Sequence, residues 1–215
     1  MLTPYIQTSY HTQMNKLYFP PSISGIEHDF LKPEVKSAKG TKPPKPKKPV
    51  NWRAGKKCTC AMACITPSGK VLIVHPTNGP FKFGWGFPKG IKDDADLDEI
   101  SAARRELREE TGLDLPDTLL YINCGTFEYT KEKVYRLFAV KLDYEIDTTT
   151  LKCESTFTDK DGTAKTEIDK YALVGIDRCY KDMTAKQANV VKSCLTTLRK
   201  TLAGTAKDTR ADWER

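Results

Sequence analysis

An α/β architecture, a mixed sheet flanked by helices, is expected of this 215-residue chain. Two observations carry that expectation. Short β-rich runs bounded by turn residues recur along the chain, and two stretches repeat apolar residues at helical spacing. The first runs, 57–65 and 70–75, are joined at Pro67-Ser68-Gly69, a turn signal. A second pair, 119–129 and 134–142, reads as a hairpin around Lys131-Glu132-Lys133. A third, 152–158 and 163–168, brackets Asp161-Gly162, a dipeptide suited to hairpin turns. Residues 184–202 then form an amphipathic helix with Val190, Cys194, Leu195 and Leu198 on its inner face. No internal repeat is visible.

The remaining helix carries the chemistry. Asp98 is a good N-cap, Glu99 puts negative charge in the first turn, and Ile100, Ala103 and Leu107 form a narrow apolar stripe. Ala102 and Ala103 permit close approach to a sheet. Gly112 stands at the C′ position, followed by Leu113 as its hydrophobic partner. Within this helix Glu106, Glu109 and Glu110 stand at i, i+3 and i+4, so three carboxylates converge within one turn. Like charges at that spacing repel. A hard divalent cation such as magnesium, which takes oxygen ligands, reverses the sign of that cost. A solvated acidic face is the other meaning of such a cluster. Just upstream lies Gly84-Trp85-Gly86-Phe87-Pro88-Lys89-Gly90, a glycine-punctuated loop with one proline and one lysine.

Gly90 through Leu113 resembles the Nudix box: a glycine, five residues, a glutamate, seven residues, then Arg-Glu-apolar-any-Glu-Glu-any-Gly-apolar. Arg105, Glu106, Leu107, Glu109, Glu110, Gly112 and Leu113 match every specified position of the second half. The first half departs from it. Asp96 stands where the glutamate is expected, and eight residues rather than seven separate it from Arg105.

The resemblance implies an α/β/α sandwich over residues 57–203 and magnesium-dependent hydrolysis of a nucleoside diphosphate linked to another moiety, with manganese as a substitute ion. It also implies roles. Glu106 and Glu110 become metal ligands, Glu109 a ligand or general base, and the Gly90 carbonyl a further ligand. Arg105 orients Glu109 as an ion pair, and all four charged residues belong to the catalytic set. Lys89 is a phosphate contact, against an ordinary solvated lysine. Glu167 is a candidate extra carboxylate from outside the box, with Glu128 and Glu132 competing.

The rest of the chain bounds the setting. The stretch 32–57 holds ten Lys or Arg against one acid, a net of +9 that leaves −2 for the remainder of a +7 chain. Five prolines stiffen it and forbid helix. Residues 32–56 therefore read as an extended basic linker, suited to contact RNA or another polyanion, with a solubilising spacer as the plainer reading. Before it, residues 1–31 scatter aromatic and aliphatic side chains too thinly for a core and suit an N-terminal docking peptide. Residues 204–215 read as a polar tail.

No run of apolar residues is long enough for a membrane span, and no basic-then-apolar leader pattern opens the chain. Seven cysteines, an odd number, fit a reducing compartment and a cytoplasmic protein. Cys58, Cys60 and Cys64 alternate along one strand face with Met62 and are expected as core thiols rather than zinc ligands.

For the substrate, the loop is similar to that of mRNA-decapping and dinucleoside-polyphosphate Nudix enzymes. Trp85 or Phe87 is a candidate to stack on a base, or else to wedge beneath the loop. The basic arm raises the expectation of an RNA 5′ end. A diphosphoinositol polyphosphate, or a non-catalytic binding role, is the alternative. Oligomeric state is not encoded in any pattern found.

Overall fold

The structure, a computed structural model, describes residues 55–208. The segment 1–31, nearly all of the basic linker 32–56 and the end of the tail 204–215 lie outside the described residues. Within them the order is β1 (Lys57–Ile65), β2 (Lys70–Pro76), β3 (Lys89–Ile91), α1 (Glu99–Thr111), β4 (Tyr121–Glu128), β5 (Lys133–Lys141), β6 (Thr156–Thr158), β7 (Ala164–Thr166), β8 (Ile168–Gly175) and α2 (Ala185–Leu202). The main sheet runs β4-β5-β1-β2-β8, with β3 also paired to β1, while β6 and β7 form a separate hairpin. It is mixed: β1 lies parallel to β5, and the other pairings are antiparallel.

Period-two alternation along the central strands builds the two cores. From β1, Ala61, Ala63 and Ile65 face α2, joined by Val71, Ile73, Leu137 and Ala139. Cys60, Met62 and Cys64 face the other way, with Leu72, Phe138 and Val140, onto Ile100, Ala103 and Leu107 of α1. One helix therefore covers each sheet face, the expected α/β/α sandwich. All seven cysteines are free thiols, with Cys60 and Cys64 fully buried.

The β1–β2 hairpin splays, and this positions the site. The two strands meet at Ile65↔Val71 beside the turn. Farther along, Thr59, Cys60 and Ala61 pair with β3 instead. On the other side, Val74 N–H donates to the Gly86 carbonyl at 2.8 Å and Gly86 N–H to the Val74 carbonyl at 3.0 Å. The segment 85–91 thus fills the gap between diverging strands, and their backbone groups are satisfied by loop rather than by each other.

α1 starts and stops as its end residues dictate. The Asp98 carboxylate accepts from Ser101 N–H at 2.8 Å, and Gly112 takes the left-handed conformation at φ 76°. Three of its last carbonyls find partners from afar. Glu109 O accepts from Glu154 N at 2.8 Å, Thr111 O from Lys152 N at 3.1 Å, and Glu110 O from the Tyr171 hydroxyl at 3.0 Å. Capping occupies the backbone at 152–155, which explains why β6 begins at Thr156 rather than at 152 as expected. On α2 a second adjustment appears: Leu195 is only partly buried, and the neighbouring Val191 takes the core position.

Candidate active site

Arg105 is the hub of the site. Its Nε and Nη2 donate to the two carboxylate oxygens of Asp96, each at 3.0 Å. Its Nη1 donates to Glu106 Oε1 at 2.8 Å and to Glu109 Oε2 at 2.9 Å, and Nη2 also reaches the Ile91 carbonyl at 3.1 Å. The planar fork satisfies a bidentate partner on one edge and two helix carboxylates on the other. Asp96, with a side chain only 7% exposed, also accepts from Asp93 N–H at 2.8 Å. Its pKa is held below the ordinary carboxylate value chiefly by the Arg105 hydrogen bonds. The 92–98 loop thus brings the Asp96 carboxylate onto the guanidinium although eight residues separate the two in sequence.

The three glutamates divide by environment. Glu109 is the most open. Glu106 is buried, and desolvation pushes its pKa up against the pull of Arg105. Glu110, 4% exposed, is pushed up to about 8 by burial, opposed by the Lys89 charge and by a hydrogen bond from Lys89 N–H at 3.1 Å. Glu167 adds slightly to the upward push on both Glu106 and Glu110 and lines the same cavity as Glu110. Of its competitors, Glu128 is instead ion-paired with Lys56 at 2.9 Å on the surface.

Gly90 belongs to the same knot. A Cβ built there would overlap the Glu106 carboxylate, so only glycine lets β3 lie against that side chain. Gly90→Ala is expected to displace the far end of Glu106, a flexible side chain, and to leave the strand in place. Activity should fall roughly 10- to 100-fold with little change in melting temperature. Full activity in this variant would show that the position of Glu106 is not used.

A cavity of about 390 Å³ opens beside these carboxylates, with Lys89, Glu110 and Glu167 among its lining residues. Its walls include Tyr129 from the β4–β5 turn, Phe157 from β6, and Thr184 and Gln187 from the start of α2. These four were not singled out in the sequence. Gln187 had a signal: it lies on the α2 stripe three and four residues before Val190 and Val191, a polar residue at a core position. It is 3% exposed and accepts from Phe87 N–H at 3.2 Å. Tyr129 and Phe157 had none, because long-range folding brings both to the cavity.

For Trp85 and Phe87, the sequence leaves stacking on a base and wedging beneath the loop both open. Phe87 borders the cavity but is 1% exposed and packs into the α2-side core, so the wedge role is the one its burial supports. Trp85 is half-buried, packs edge-on to the His75 ring at a centroid distance of 5.2 Å, and is not among the cavity's lining residues.

Among the described residues no three His, Cys, Asp or Glu side chains are already gathered into one coordination cluster. Glu106 and Glu109 are engaged by Arg105, and Glu110 by Lys89 N–H. The donor set nonetheless fits a hard divalent cation. Glu106, Glu109, Glu110 and Glu167 offer oxygen only, and a carboxylate as buried as Glu110 has a backbone N–H rather than a cationic group for its partner.

Residues 56–194 match the family model of the NUDIX domain. The match spans well over half of the chain, which therefore belongs to the Nudix family of hydrolases. The chain is 37% identical over 111 residues, 49% of its length, to an uncharacterised 17.7 kDa protein from the e-segB intergenic region of Enterobacteria phage T4, covering 74% of that protein. Among solved structures it is similar to a MutT/nudix family protein of Enterococcus faecalis, with a TM-score of 0.50 at 12% identity over 70% of this chain and 67% of that one. It is also similar to a C. elegans Ap4A hydrolase in a binary complex, with a TM-score of 0.49 at 19% identity over 68% of this chain and 98% of the other. Among the described residues no helix is long and apolar enough to cross a membrane.

Proposed function

We propose that this protein is a magnesium-dependent pyrophosphohydrolase that cleaves a diphosphate linkage in a nucleotide, with an RNA 5′ end or a dinucleoside polyphosphate as its substrate. The observation that carries this reading is a buried carboxylate, Glu110, beside Lys89 and Glu167 in the wall of a cavity that aromatic side chains also line. Glu106, Glu110 and the Gly90 carbonyl would hold the metal, with Glu167 as the added carboxylate and Glu109 as a further ligand where it does not serve as the base. Magnesium or manganese, when bound, supplies charge screening for the phosphoryl oxygens and a lowered pKa for a water.

The remaining work falls to side chains. Glu109 Oε2 is held by Arg105, which leaves Oε1 to accept the proton of the attacking water. The Lys89 ammonium offers countercharge to a phosphate. Tyr129 and Phe157 supply apolar wall for a base, a lining suited to a nucleoside better than to an inositol ring. The free thiols support a reducing, cytoplasmic setting.

A panel with magnesium, its products resolved by mass, tests this reading. Capped RNA, triphosphorylated RNA, diadenosine tetraphosphate, ADP-ribose and diphosphoinositol pentakisphosphate are to be compared. Turnover of an RNA end or the dinucleotide is expected, and a clear preference for the inositol substrate would reject the reading. For the basic arm, deletion of residues 1–50 is expected to weaken RNA engagement several-fold at low salt, with the difference closing as salt rises, while dinucleotide hydrolysis is spared. Equal RNA affinity of both proteins at low salt would reject the arm.

A further inference from the structure

The turn from Pro80 to Gly84 displays two aromatic rings to solvent. Phe81 is 68% exposed and Phe83 is 63% exposed, with Lys82 between them. Single exposed apolar residues are ordinary on a protein surface. Two phenylalanines on one short turn, with a lysine between them, are less so, and three observations show that the turn is held in this form.

Its base is clamped. His75, 3% exposed, places Nε2 at 3.3 Å from the Pro80 carbonyl and Nδ1 at 2.6 Å from Asp169 on β8. Its far end is closed by Gly84, where a Cβ would overlap the Pro80 carbonyl. At the tip, Phe83 sits at φ 62°, a left-handed conformation that costs free energy for a residue with a Cβ. That strain does not serve to bury the ring, which stays largely exposed.

Place and charge indicate what the rings receive. Pro76, ahead of the turn, and Gly84, its last residue, both line the cavity, so the turn stands at its rim. Lys170 Nζ lies 4.8 Å from the centre of the Phe81 ring, and Lys82 stands between the two rings in sequence. Flat aromatic faces interleaved with ammonium groups, at the edge of a site suited to phosphates, match the chemistry of an unpaired nucleobase on a phosphate chain.

We propose that the 80–84 turn is a stacking platform for a nucleobase that remains outside the cavity while the diphosphate attached to it enters. That base is either the second base of a dinucleoside polyphosphate or a leading base of an RNA 5′ end. The platform rests on the nucleotide-hydrolase reading above and names the part of the substrate that lies beyond the scissile linkage.

The test is binding by the full chain with calcium in place of magnesium, so that affinity is read apart from magnesium-supported turnover. The probes are diadenosine tetraphosphate, a 5′-triphosphorylated penta-adenylate, and a 5′-triphosphorylated abasic chain of equal length. The doubly substituted protein, Phe81→Ala with Phe83→Ala, should lose about tenfold or more in affinity for a base-bearing probe, with abasic binding unchanged. Loss on only one base-bearing probe supports the platform and identifies the source of the base. Phe81→Leu with Phe83→Leu keeps apolar surface but no ring, and should lose nearly as much.

Unchanged affinity of the alanine protein for both base-bearing probes would overturn the proposal, as would no binding of either by the wild type. Full retention by the leucine protein would overturn it too, and would mark the turn as a protein contact. Ring-dependent binding without hydrolysis of any substrate in the panel would leave the platform standing and remove the hydrolase reading.

Discussion

Replacing Glu110 with glutamine is expected to abolish magnesium-supported hydrolysis and, at the same time, to stabilise the metal-free protein above neutral pH. The first effect follows from the proposed role of Glu110 as an anionic ligand, which glutamine would remove. A deficit of about 4 kcal/mol in transition-state stabilisation corresponds to roughly a thousandfold loss of rate. The second follows from burial. The folded state pushes the Glu110 pKa from 4.5 up to about 8. Between those values the folded chain keeps a proton that the unfolded chain releases. Stability present at acid pH is therefore lost as pH rises through about 8. Glutamine keeps an oxygen for Lys89 N–H and carries no charge to desolvate. In EDTA at pH 8 the variant should melt roughly 5 °C higher than the wild type, and the gap should close near pH 5. Equal melting at both pH values would contradict the buried-charge account, and retained turnover would contradict the catalytic one.

Arg105→Lys is the second large effect, and here stability and activity should fall together. Lysine keeps the charge but cannot bind both oxygens of Asp96 while also reaching Glu106, Glu109 and the Ile91 carbonyl. Asp96 would keep its burial and lose its bidentate partner. A cost of about 2–4 kcal/mol is expected, seen as a fall in melting temperature of roughly 5–10 °C. With Glu109 no longer oriented, kcat should drop about 10- to 100-fold while KM changes little. A variant that melts like the wild type would show that the Arg105 network is ornamental to the fold.

The helix that carries these residues was readable because its determinants are local. Asp98, Gly112 and the Ile100–Ala103–Leu107 stripe act within one or two turns, and the spacing of Glu106, Glu109 and Glu110 follows from helix geometry alone. The alternation along β1 was readable for the same reason, since inward and outward faces of a strand are set by a period of two. What sequence left open depends on distant chain. Asp96 sits one residue out of the family register, and only the folded 92–98 loop brings its carboxylate to Arg105. Phe87 and Trp85 are near neighbours in one loop. Their depths differ because the splayed β1–β2 hairpin swallows the segment between them and β3. Tyr129, Phe157 and Gln187 come from the β4–β5 turn, β6 and α2, so no window of sequence joins them.

The central claim is that carboxylates from one helical turn bind a divalent cation at the cavity. Manganese titration by electron paramagnetic resonance, on wild type and on Glu106→Gln and Glu110→Gln, measures it directly. Saturable manganese binding by the wild type, tightened by a nucleotide and weakened at least tenfold in each variant, is the predicted result. Manganese binding that is absent in the wild type, or equal in all three proteins, would contradict it.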